Sequence, residues 1–311
     1  MSYDTVVSVV ERTTGSLLVC SQTLCHWVQD KAALLDAALI AEVAAASVLP
    51  APALAEVVDI YDPQAKEVLV FCDGIGVKAQ KPTHEKAGEP RREKPDKRYE
   101  TDVMLFEGQD ARFRYLSGST DKQVGLADVA GAYLRTEWGE HSPPVPIVAL
   151  TDGAKKIRQD LATVFGCCVT VILDWYHLAK RVYEHLSMCA HSRAEREEWE
   201  HTILGFLWQG QVSEALSFLL GVSARNGKAL AELIGYLEKH TSEIIDYGRR
   251  KATGKPIGSG RMEKAVDQVI GIRQKKKGMS WSKQGSHALA LLKIAELNGQ
   301  WHKLWTPPVA A

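Results

Sequence analysis

Three apolar runs in this chain each end on an aspartate. They read VLVFCDG at 68–74, IVALTDG at 147–153 and VTVILD at 169–174. The third run is apolar almost throughout, which is typical of a strand buried on both faces. Stretches with helical spacing separate the later runs, and two more short strands are predicted between the first run and the second. This order predicts an α/β fold in which helices cover a mixed sheet.

The pattern of the whole chain divides it into five segments. Residues 1–46 are predicted to form a small helical head, and residues 47–64, with three prolines, a linker. Residues 65–178 contain the predicted strands and are interpreted as the first part of a core. Residues 179–250 are helical throughout and too long for one crossover helix, so they are interpreted as an all-helical insertion. Residues 251–305 return to the core with two final helices.

The helical head has the outline of a helix-turn-helix. Residues 3–12 have one apolar helical face, TTGS follows as a turn, and Ser21 can cap a second helix. A helix-turn-helix reads DNA when its second helix enters the major groove. Two helices joined by a turn are also common in proteins that bind no DNA, so both interpretations stay open at this point.

The charge of the chain is unevenly distributed, although its net value is zero over 311 residues. Residues 249–277 contain ten Lys or Arg and two acids, a local charge of +8, so the rest of the chain carries −8. Such a segment is typical either of a face that binds nucleic acid or of a solvated lysine-rich surface. Residues 78–98 are also charged and contain prolines, which predicts a loop.

Several classes of protein are disfavoured by what the sequence lacks. No apolar run is long enough to span a bilayer, and MSYDTVVSVVERTTG has neither the basic region nor the apolar core of a signal peptide. The six cysteines show neither a disulfide framework nor paired CxxC spacing, so we expect reduced thiols in a cytoplasmic protein. No GxxxxGK loop is present, so an ATP-driven activity has no support.

The aspartates that end the first two runs are candidate metal ligands. Asp73 and Asp152 follow predicted strands, and ligands gather beyond the strand ends of open α/β sheets. Carboxylate oxygens suit Mg²⁺, and two such ions about 4 Å apart can serve phosphoryl transfer. Glu263, in the first turn of a helix predicted from GSGRMEKAVDQVIG, is the candidate third carboxylate. Asp-Gly is also an ordinary turn signal, and an acid in a first helical turn stabilises the helix dipole, so a purely structural interpretation stays open.

The third aspartate belongs to the sequence DWYH. Asp174 ends its predicted strand and His177 opens the next helix, so both side chains can face the same sheet edge. The alternative is an aspartate that only caps the helix and a histidine with a structural role. The pair is therefore a candidate accessory to the carboxylates.

Taken in order, these motifs resemble bacterial insertion-sequence transposases related to the Mutator superfamily. The resemblance rests on the two strand-DG motifs, on LDWYHLAKRVYE, GSGRMEK and RQKKKGMSWS, and on the terminal LNGQW. It covers roughly residues 62–305. It implies a ribonuclease H-like core that is interrupted by an all-helical insertion after the fifth strand and before the glutamate.

The same resemblance implies metal-dependent cleavage and transfer of DNA strands. Asp73, Asp152 and Glu263 would be the catalytic, metal-binding triad, and the cofactor would be Mg²⁺ or Mn²⁺, with two ions per active site. Asp174 and His177 would be the accessory D-x-x-H pair of the family. A triad that uses Asp174 instead of Asp152 as its second aspartate stays open.

The resemblance also implies DNA as the partner, both as transposon ends and as target, and a homo-oligomer acting in the bacterial cytoplasm at the nucleoid. Lys and Arg side chains would position that DNA through its phosphates. Trp281, beside the basic cluster, is expected to pack in the core rather than stack on a base. The predicted DNA-binding residues are Arg249, Arg250, Lys251, Arg273, Lys275, Lys276 and Lys277.

Two further functions remain alternatives to a transposase. The head and linker are short for such an enzyme, so the chain could be a truncated or inactive copy that only binds DNA. A nuclease with a ribonuclease H-like core that cuts DNA without joining it is the other alternative. Metal-dependent cleavage would separate the first from an enzyme, and joined products would separate the second from a transposase.

Overall fold

The computed structural model describes residues 2–80, 98–119, 123–139 and 143–306. The described chain has an α/β fold in which helices flank a five-stranded mixed sheet, which confirms the fold class predicted from the sequence. Most of the predicted loop at 78–98 lies outside the described residues. The strands are β1 (Val68–Lys78), β2 (Arg98–Glu107), β3 (Phe113–Leu116), β4 (Ile147–Thr151) and β5 (Thr170–Leu173).

The sheet joins an antiparallel half to a parallel half. The strand order is β3-β2-β1-β4-β5, with β1, β2 and β3 paired antiparallel. β4 pairs in parallel with β1 on one side and with β5 on the other. Parallel strands need a crossover between them, and a helix supplies it between β4 and β5. The chain therefore leaves β1, β4 and β5 towards the same edge of the sheet.

Helices precede the sheet, separate its later strands, and form most of the chain after β5. None of the described helices is long and apolar enough to cross a membrane. The helices are α1 (Tyr3–Thr14), α2 (Ser21–Ala46), α3 (Leu126–Trp138), α4 (Lys155–Phe165), α5 (Trp175–Cys189), α6 (Arg193–Trp208), α7 (Val212–Gly221), α8 (Gly227–Lys239), α9 (Tyr247–Ala252), α10 (Gly260–Val266), α11 (Ile272–Gln274), α12 (Lys283–Leu297) and α13 (Trp301–Trp305).

Both faces of the sheet are buried, because side chains alternate along each strand and helices cover each side. On β1, Val68 and Val70 pack in a cluster with side chains of α3 and α4. Leu69 and Phe71 point the opposite way, into a larger cluster that includes α5, α10, α12 and the helical insertion. The same alternation places Asp73 on the side of α5 and α10.

β1 is longer than the sequence predicted, and this corrects the expected position of Asp73. The prediction ended the strand at Asp73, yet the strand continues to Lys78. Parallel pairing with β4 stops at Phe71, but antiparallel pairing with β2 continues, with Asp73 opposite Val103. The Asp-Gly dipeptide here lies inside a strand and makes no turn. Asp73 nevertheless lies just beyond the parallel half of the sheet.

The N-terminal helices pack on the core. Gly15, in the left-handed region at φ 74°, ends α1, and α2 begins at Ser21. The cap of α2 is Cys20, whose Sγ accepts from the backbone N–H of Thr23 at 3.4 Å, and not Ser21 as predicted. α2 packs against α3 and α12. The predicted linker also contacts the core, since Val145 donates to the carbonyl of Ala53 at 2.8 Å.

The helical segment after β5 is tied to the sheet by aromatic side chains. The hydroxyl of Tyr247, on α9, donates to the carbonyl of Leu173 at 2.8 Å. The ring of Trp175, at the start of α5, lies 4.8 Å from that of Trp208 and 5.0 Å from that of Tyr247. The first and last helices of the segment therefore meet beside the end of β5.

Candidate active site

The three carboxylates proposed from the sequence line one small cavity. Asp73, Asp152 and Glu263 share a cavity of about 100 Å³ with His177 and Ser259. They come from a strand, a strand-to-helix turn and a helix that are far apart in the sequence. The fold thus brings together four of the five residues that the sequence singled out, and the fifth, Asp174, lies behind them.

Each carboxylate reaches the cavity by a different local route. Asp73 is half-buried on β1, and its Oδ1 accepts from the N–H of Gly74 at 2.7 Å. Asp152 is exposed directly after β4, and its Oδ1 accepts from the N–H of Ala154 at 2.8 Å. Glu263 is exposed in the first turn of α10, next to Met262, which is buried. Two of the three acids are therefore accessible from solvent.

The electrostatics of the cavity disfavour three negative charges. Burial raises the pKa of Asp73, and the charges of Asp152 and Glu263 raise it further, against the opposing hydrogen bond from Gly74. A cation that joined the carboxylates would relieve this repulsion. Three carboxylates form a hard oxygen donor set of the kind that suits Mg²⁺ or Mn²⁺. Within the described ranges, no three His, Cys, Asp or Glu side chains are already close enough together to hold a metal ion.

Asp174 has a structural place behind the cavity. Its Oδ1 caps α5 by accepting from the N–H groups of Tyr176 and His177 at 2.6 and 3.0 Å. Its Oδ2 accepts from both the N–H and the hydroxyl of Ser259, each at 2.5 Å. Burial alone would raise the pKa of Asp174, but the hydrogen bonds from Ser259 and His177 outweigh it and lower the pKa. With its oxygens so occupied, Asp174 is poorly suited to replace Asp152 as a metal ligand.

Asp174 also fixes the approach of the helix that carries Glu263. Ser259 immediately precedes α10, so its two hydrogen bonds to Asp174 join the end of β5 to the start of that helix. Gly258 permits this contact, because a Cβ there would lie 2.6 Å from the ring of Tyr176. Gly258 is therefore required for close packing. Ser259 occupies the N-cap position of α10, but its hydroxyl donates to Asp174 and makes no capping bond to the helix.

His177 is the accessory residue that faces the cavity. Its side chain is 38% exposed, and its Nδ1 lies 3.4 Å from Asp174 Oδ2. The geometry of this contact is not that of a hydrogen bond, and Nδ1 is buried without a hydrogen-bond partner among the described residues. Asp174 thus orients the backbone at His177, while the ring of His177 stays available to the cavity.

A buried ionic network, which no motif in the sequence indicated, supports the turn at Asp152. His240 is 1% exposed, and its Nδ1 lies 2.6 Å from Glu243 Oε2, while Arg158 donates to Glu243 Oε1 at 2.6 Å. Nδ1 also lies 2.8 Å from the Arg158 guanidinium, but a nitrogen that donates to Glu243 cannot accept from Arg158, so we assign the proton to the bond with Glu243. Arg158 comes from α4, whereas His240 and Glu243 lie three residues apart in the turn after α8, and no spacing in the sequence relates Arg158 to the other two.

The histidine of this network packs directly on the residue after Asp152. Gly153 has φ 82°, and a Cβ there would lie 2.5 Å from His240 Cε1. Burial raises the pKa of Glu243, but hydrogen bonds from His240 and Arg158 outweigh this and lower it. The insertion therefore holds the backbone of the Asp152 turn while leaving the carboxylate exposed.

Most cations predicted to bind DNA are accessible. Lys275, Lys276 and Lys277 are exposed. The exposed Arg249 lies over the ring of Tyr61, at 4.5 Å, and the exposed Lys251 lies over that of Trp208, at 5.6 Å. Their charged groups pack on aromatic faces without being neutralised.

Arg273 and Trp281 form one packed unit beside these lysines. The Arg273 guanidinium is half-buried between the rings of Tyr3 and Trp281, 5.7 and 4.8 Å away. The indole N–H of Trp281 donates to the carbonyl of Gln274 at 3.0 Å, and the side chain packs against the core, as expected. Arg273 is therefore less accessible to DNA than the three lysines that follow it.

Arg250 was predicted to bind DNA, but its position in the structure rules out that role. It is fully buried, and its guanidinium forms a bidentate ion pair with Glu67, at 3.0 and 2.7 Å. It also donates to the carbonyls of Ile60 and Pro256. The sequence placed Arg250 in a basic run, but one turn of α9 directs it inward while its neighbours stay exposed. Its role is to anchor α9 to the segment that enters β1.

No protein-family model matches this chain, and a search of curated proteins finds no matching sequence.

Proposed function

We propose that this protein is a metal-dependent DNA transposase of the DDE type that cleaves and joins strands at the ends of an insertion sequence. The observation that carries the proposal is the meeting of Asp73, Asp152 and Glu263 around one cavity, with His177 beside them. These are the residues that the family resemblance implies for the catalytic centre. The local roles of these acids, one backbone hydrogen bond each at Asp73 and Asp152 and a place in the first turn of α10 for Glu263, do not explain why all three meet at one cavity.

The architecture around the cavity supports a ribonuclease H-like core. The sheet has three antiparallel strands followed by two parallel ones. Asp73 lies on the central strand β1, Asp152 follows the parallel neighbour β4, and Glu263 lies on α10, which packs on β1. The helical segment lies between β5 and the helix with the glutamate, as the resemblance implies. In this proposal, Asp174 is a positioning residue that connects β5 with the start of α10.

The three carboxylates would hold Mg²⁺ or Mn²⁺, which when bound would neutralise phosphate charge and favour attack by water or a 3′-hydroxyl. The residues of the chain would do the positioning. The buried network at His240 would keep the Asp152 turn in place, and Ser259 would keep α10 against β5. The half-exposed ring of His177 would contact the DNA phosphate or its attacking group. Holding groups in a fixed arrangement is a major source of rate in phosphoryl transfer.

The test is strand cleavage and joining on labelled DNA that carries the element's own ends, with Mg²⁺ or Mn²⁺. The unaltered chain should cut and join, whereas Asp152→Asn and Glu263→Gln should each lose both products while remaining folded. Cleavage without joined products would support the nuclease alternative. DNA binding without any cleavage would support an inactive copy. Full activity in either variant would remove that residue from the triad.

A further inference from the structure

A second, larger cleft opens beside the carboxylate cavity. It has a volume of about 430 Å³ and shares Asp152 and His177 with the smaller cavity. Its walls are the turn between β4 and α4, one side of α5 and the C-terminal end of α8. The cleft therefore lies between the core and the helical segment, and it leads to two of the residues of the candidate active site.

The walls of this cleft are positively charged. Lys155 on α4, Lys180 and Arg181 on α5, and Lys239 on α8 line it, and all four side chains are exposed. In the part of the chain that the structure describes, none of the four forms an ion pair with a carboxylate. Arg181 instead lies over the ring of Tyr236, 5.5 Å from its centroid. The acids of the cleft are Asp152 and Glu184.

Two cations elsewhere on the sheet are instead paired with carboxylates. Lys156, the neighbour of Lys155, pairs with Asp102 and faces a different cavity. Arg261 pairs with Glu107 at 2.5 Å. The first turn of α4 thus directs one lysine to a partner and the other into the cleft. Cations left without partners from three separate elements indicate a site for an extended anion.

Hydrogen bonds join two walls of the cleft. The bonds among His240, Glu243 and Arg158 join the end of α8 to α4 directly beneath it. The carbonyl of Lys239 accepts from Arg158 as well, at 3.4 Å. These bonds connect the walls at α4 and at the end of α8, and binding to groups that are already connected costs less conformational entropy.

We propose that this cleft binds the sugar–phosphate backbone of the DNA strand whose phosphodiester lies at the carboxylates. The inference rests on the proposed function and adds to it a binding surface separate from the basic segment at 249–277. Lys155, Lys180, Arg181 and Lys239 contact successive phosphates without reading base sequence. Their positive charge guides the strand past His177 to Asp152, where the carboxylates alone would repel it.

The experiment measures how binding of a short labelled DNA duplex depends on salt, using the full chain without metal. The variant Lys180→Gln/Lys239→Gln removes one cation from each helical wall. The matched control is Lys228→Gln, an exposed lysine at the opposite end of α8. Each lost phosphate contact lowers the slope of log binding constant against log salt concentration by about 0.9, so the double variant should lose roughly 2 from the slope. The control should keep the slope of the unaltered chain.

The outcomes separate this inference from the proposed function. A reduced slope in the double variant, with an unchanged thermal unfolding midpoint, supports the cleft as a backbone site. An unchanged slope, while a variant of Lys275, Lys276 and Lys277 loses slope, overturns the cleft and leaves the transposase proposal intact. Absence of DNA binding by the unaltered chain overturns both. A loss of slope per removed charge that is the same in the double variant and in Lys228→Gln shows a diffuse charge effect and also overturns the cleft.

Discussion

β4 and β5 end in the same local sequence pattern, but the aspartates that follow the two strands have different roles. Each is a parallel strand with a buried C-terminal end, followed by an aspartate that precedes a helix. After β5, Asp174 is 2% exposed and accepts hydrogen bonds from three backbone N–H groups and one hydroxyl. After β4, Asp152 is exposed and accepts from a single N–H, that of Ala154.

The difference lies in where each turn obtains its support. At β5 the carboxylate itself makes the bonds that hold the turn and α10. At β4 another part of the chain provides the support, because His240 packs on Gly153 from beneath and is fixed by Glu243 and Arg158. A carboxylate that supports its own turn is not free for chemistry, whereas one whose turn is supported elsewhere remains available for a ligand.

The largest expected effect is a loss of stability when Asp174, after β5, is replaced. Asp174→Ala removes the cap of α5 and leaves the N–H and hydroxyl of Ser259 without their acceptor. Loss of a cap costs about 1 kcal/mol and each of the two buried donors left without a partner about 1 kcal/mol or more, so the free energy of unfolding should fall by about 3 kcal/mol or more. Denaturant unfolding measures it, with Asp152→Ala as the matched control. Equal losses in the two variants would contradict the division of roles.

The next effect tests the support at β4. Gly153→Ala places a Cβ against His240 in a residue with φ 82°, and should lower the free energy of unfolding by about 2 kcal/mol or more. Gly254, at φ 79°, has open space where a Cβ would lie, so an alanine there isolates the backbone cost alone. Gly254→Ala should therefore cost about 1 kcal/mol. If both substitutions lower the free energy of unfolding equally, His240 does not pack tightly against the turn.

A smaller effect is expected in the pH dependence of stability, because Glu243 belongs to the network that supports the turn at Asp152. Because the pKa of Glu243 is lowered on folding, its carboxylate adds stability above its ordinary value of 4.5, and this is lost as pH falls through the folded pKa. Glu243→Gln should be less stable than the unaltered chain at neutral pH, by about 1 kcal/mol or more, and the difference should shrink below about pH 4.5. Unfolding across pH measures this, with the exposed Glu238→Gln as control. A difference independent of pH would exclude the ionised bond.

The smallest expected effect is that of Asp152→Asn on stability. The amide retains the oxygen that accepts from Ala154, and it removes one of three neighbouring negative charges. The free energy of unfolding should change by no more than about 0.5 kcal/mol, in the stabilising direction. Asp174→Asn is the matched substitution, and it should destabilise because its amide NH2 replaces a carboxylate oxygen that accepts two hydrogen bonds. A large loss in Asp152→Asn would mean that Asp152 has a structural task as well.

The sequence predicted the strands and the candidate carboxylates from short-range signals. Apolar runs, helical spacing and the position of Glu263 in a first turn are all local, and the structure places the corresponding residues around one cavity. The different environments of Asp152 and Asp174 were not predictable in this way. The partners that decide them, Ser259 and His240, are distant in the chain and reach the sheet only through tertiary packing.

Local sequence patterns also could not predict which residue of a charged run is buried. Arg249, Arg250 and Lys251 are consecutive, yet only Arg250 is buried. Its partner Glu67 precedes β1, and nothing in the spacing of either residue indicates the ion pair. The end of β1 was also misplaced, because antiparallel pairing with β2 extends the strand past an Asp-Gly dipeptide that usually marks a turn.

The most direct test of the central claim is calorimetric titration of the folded protein with Mn²⁺. If Asp73, Asp152 and Glu263 act together on a divalent cation, the unaltered chain should bind Mn²⁺, and Asp73→Asn, Asp152→Asn and Glu263→Gln should each weaken binding strongly. Glu184→Gln, an exposed acid of the neighbouring cleft, should leave it unchanged. Binding of Mn²⁺ that survives in all three carboxylate variants, or that falls equally in Glu184→Gln, would contradict a shared site at the end of β4.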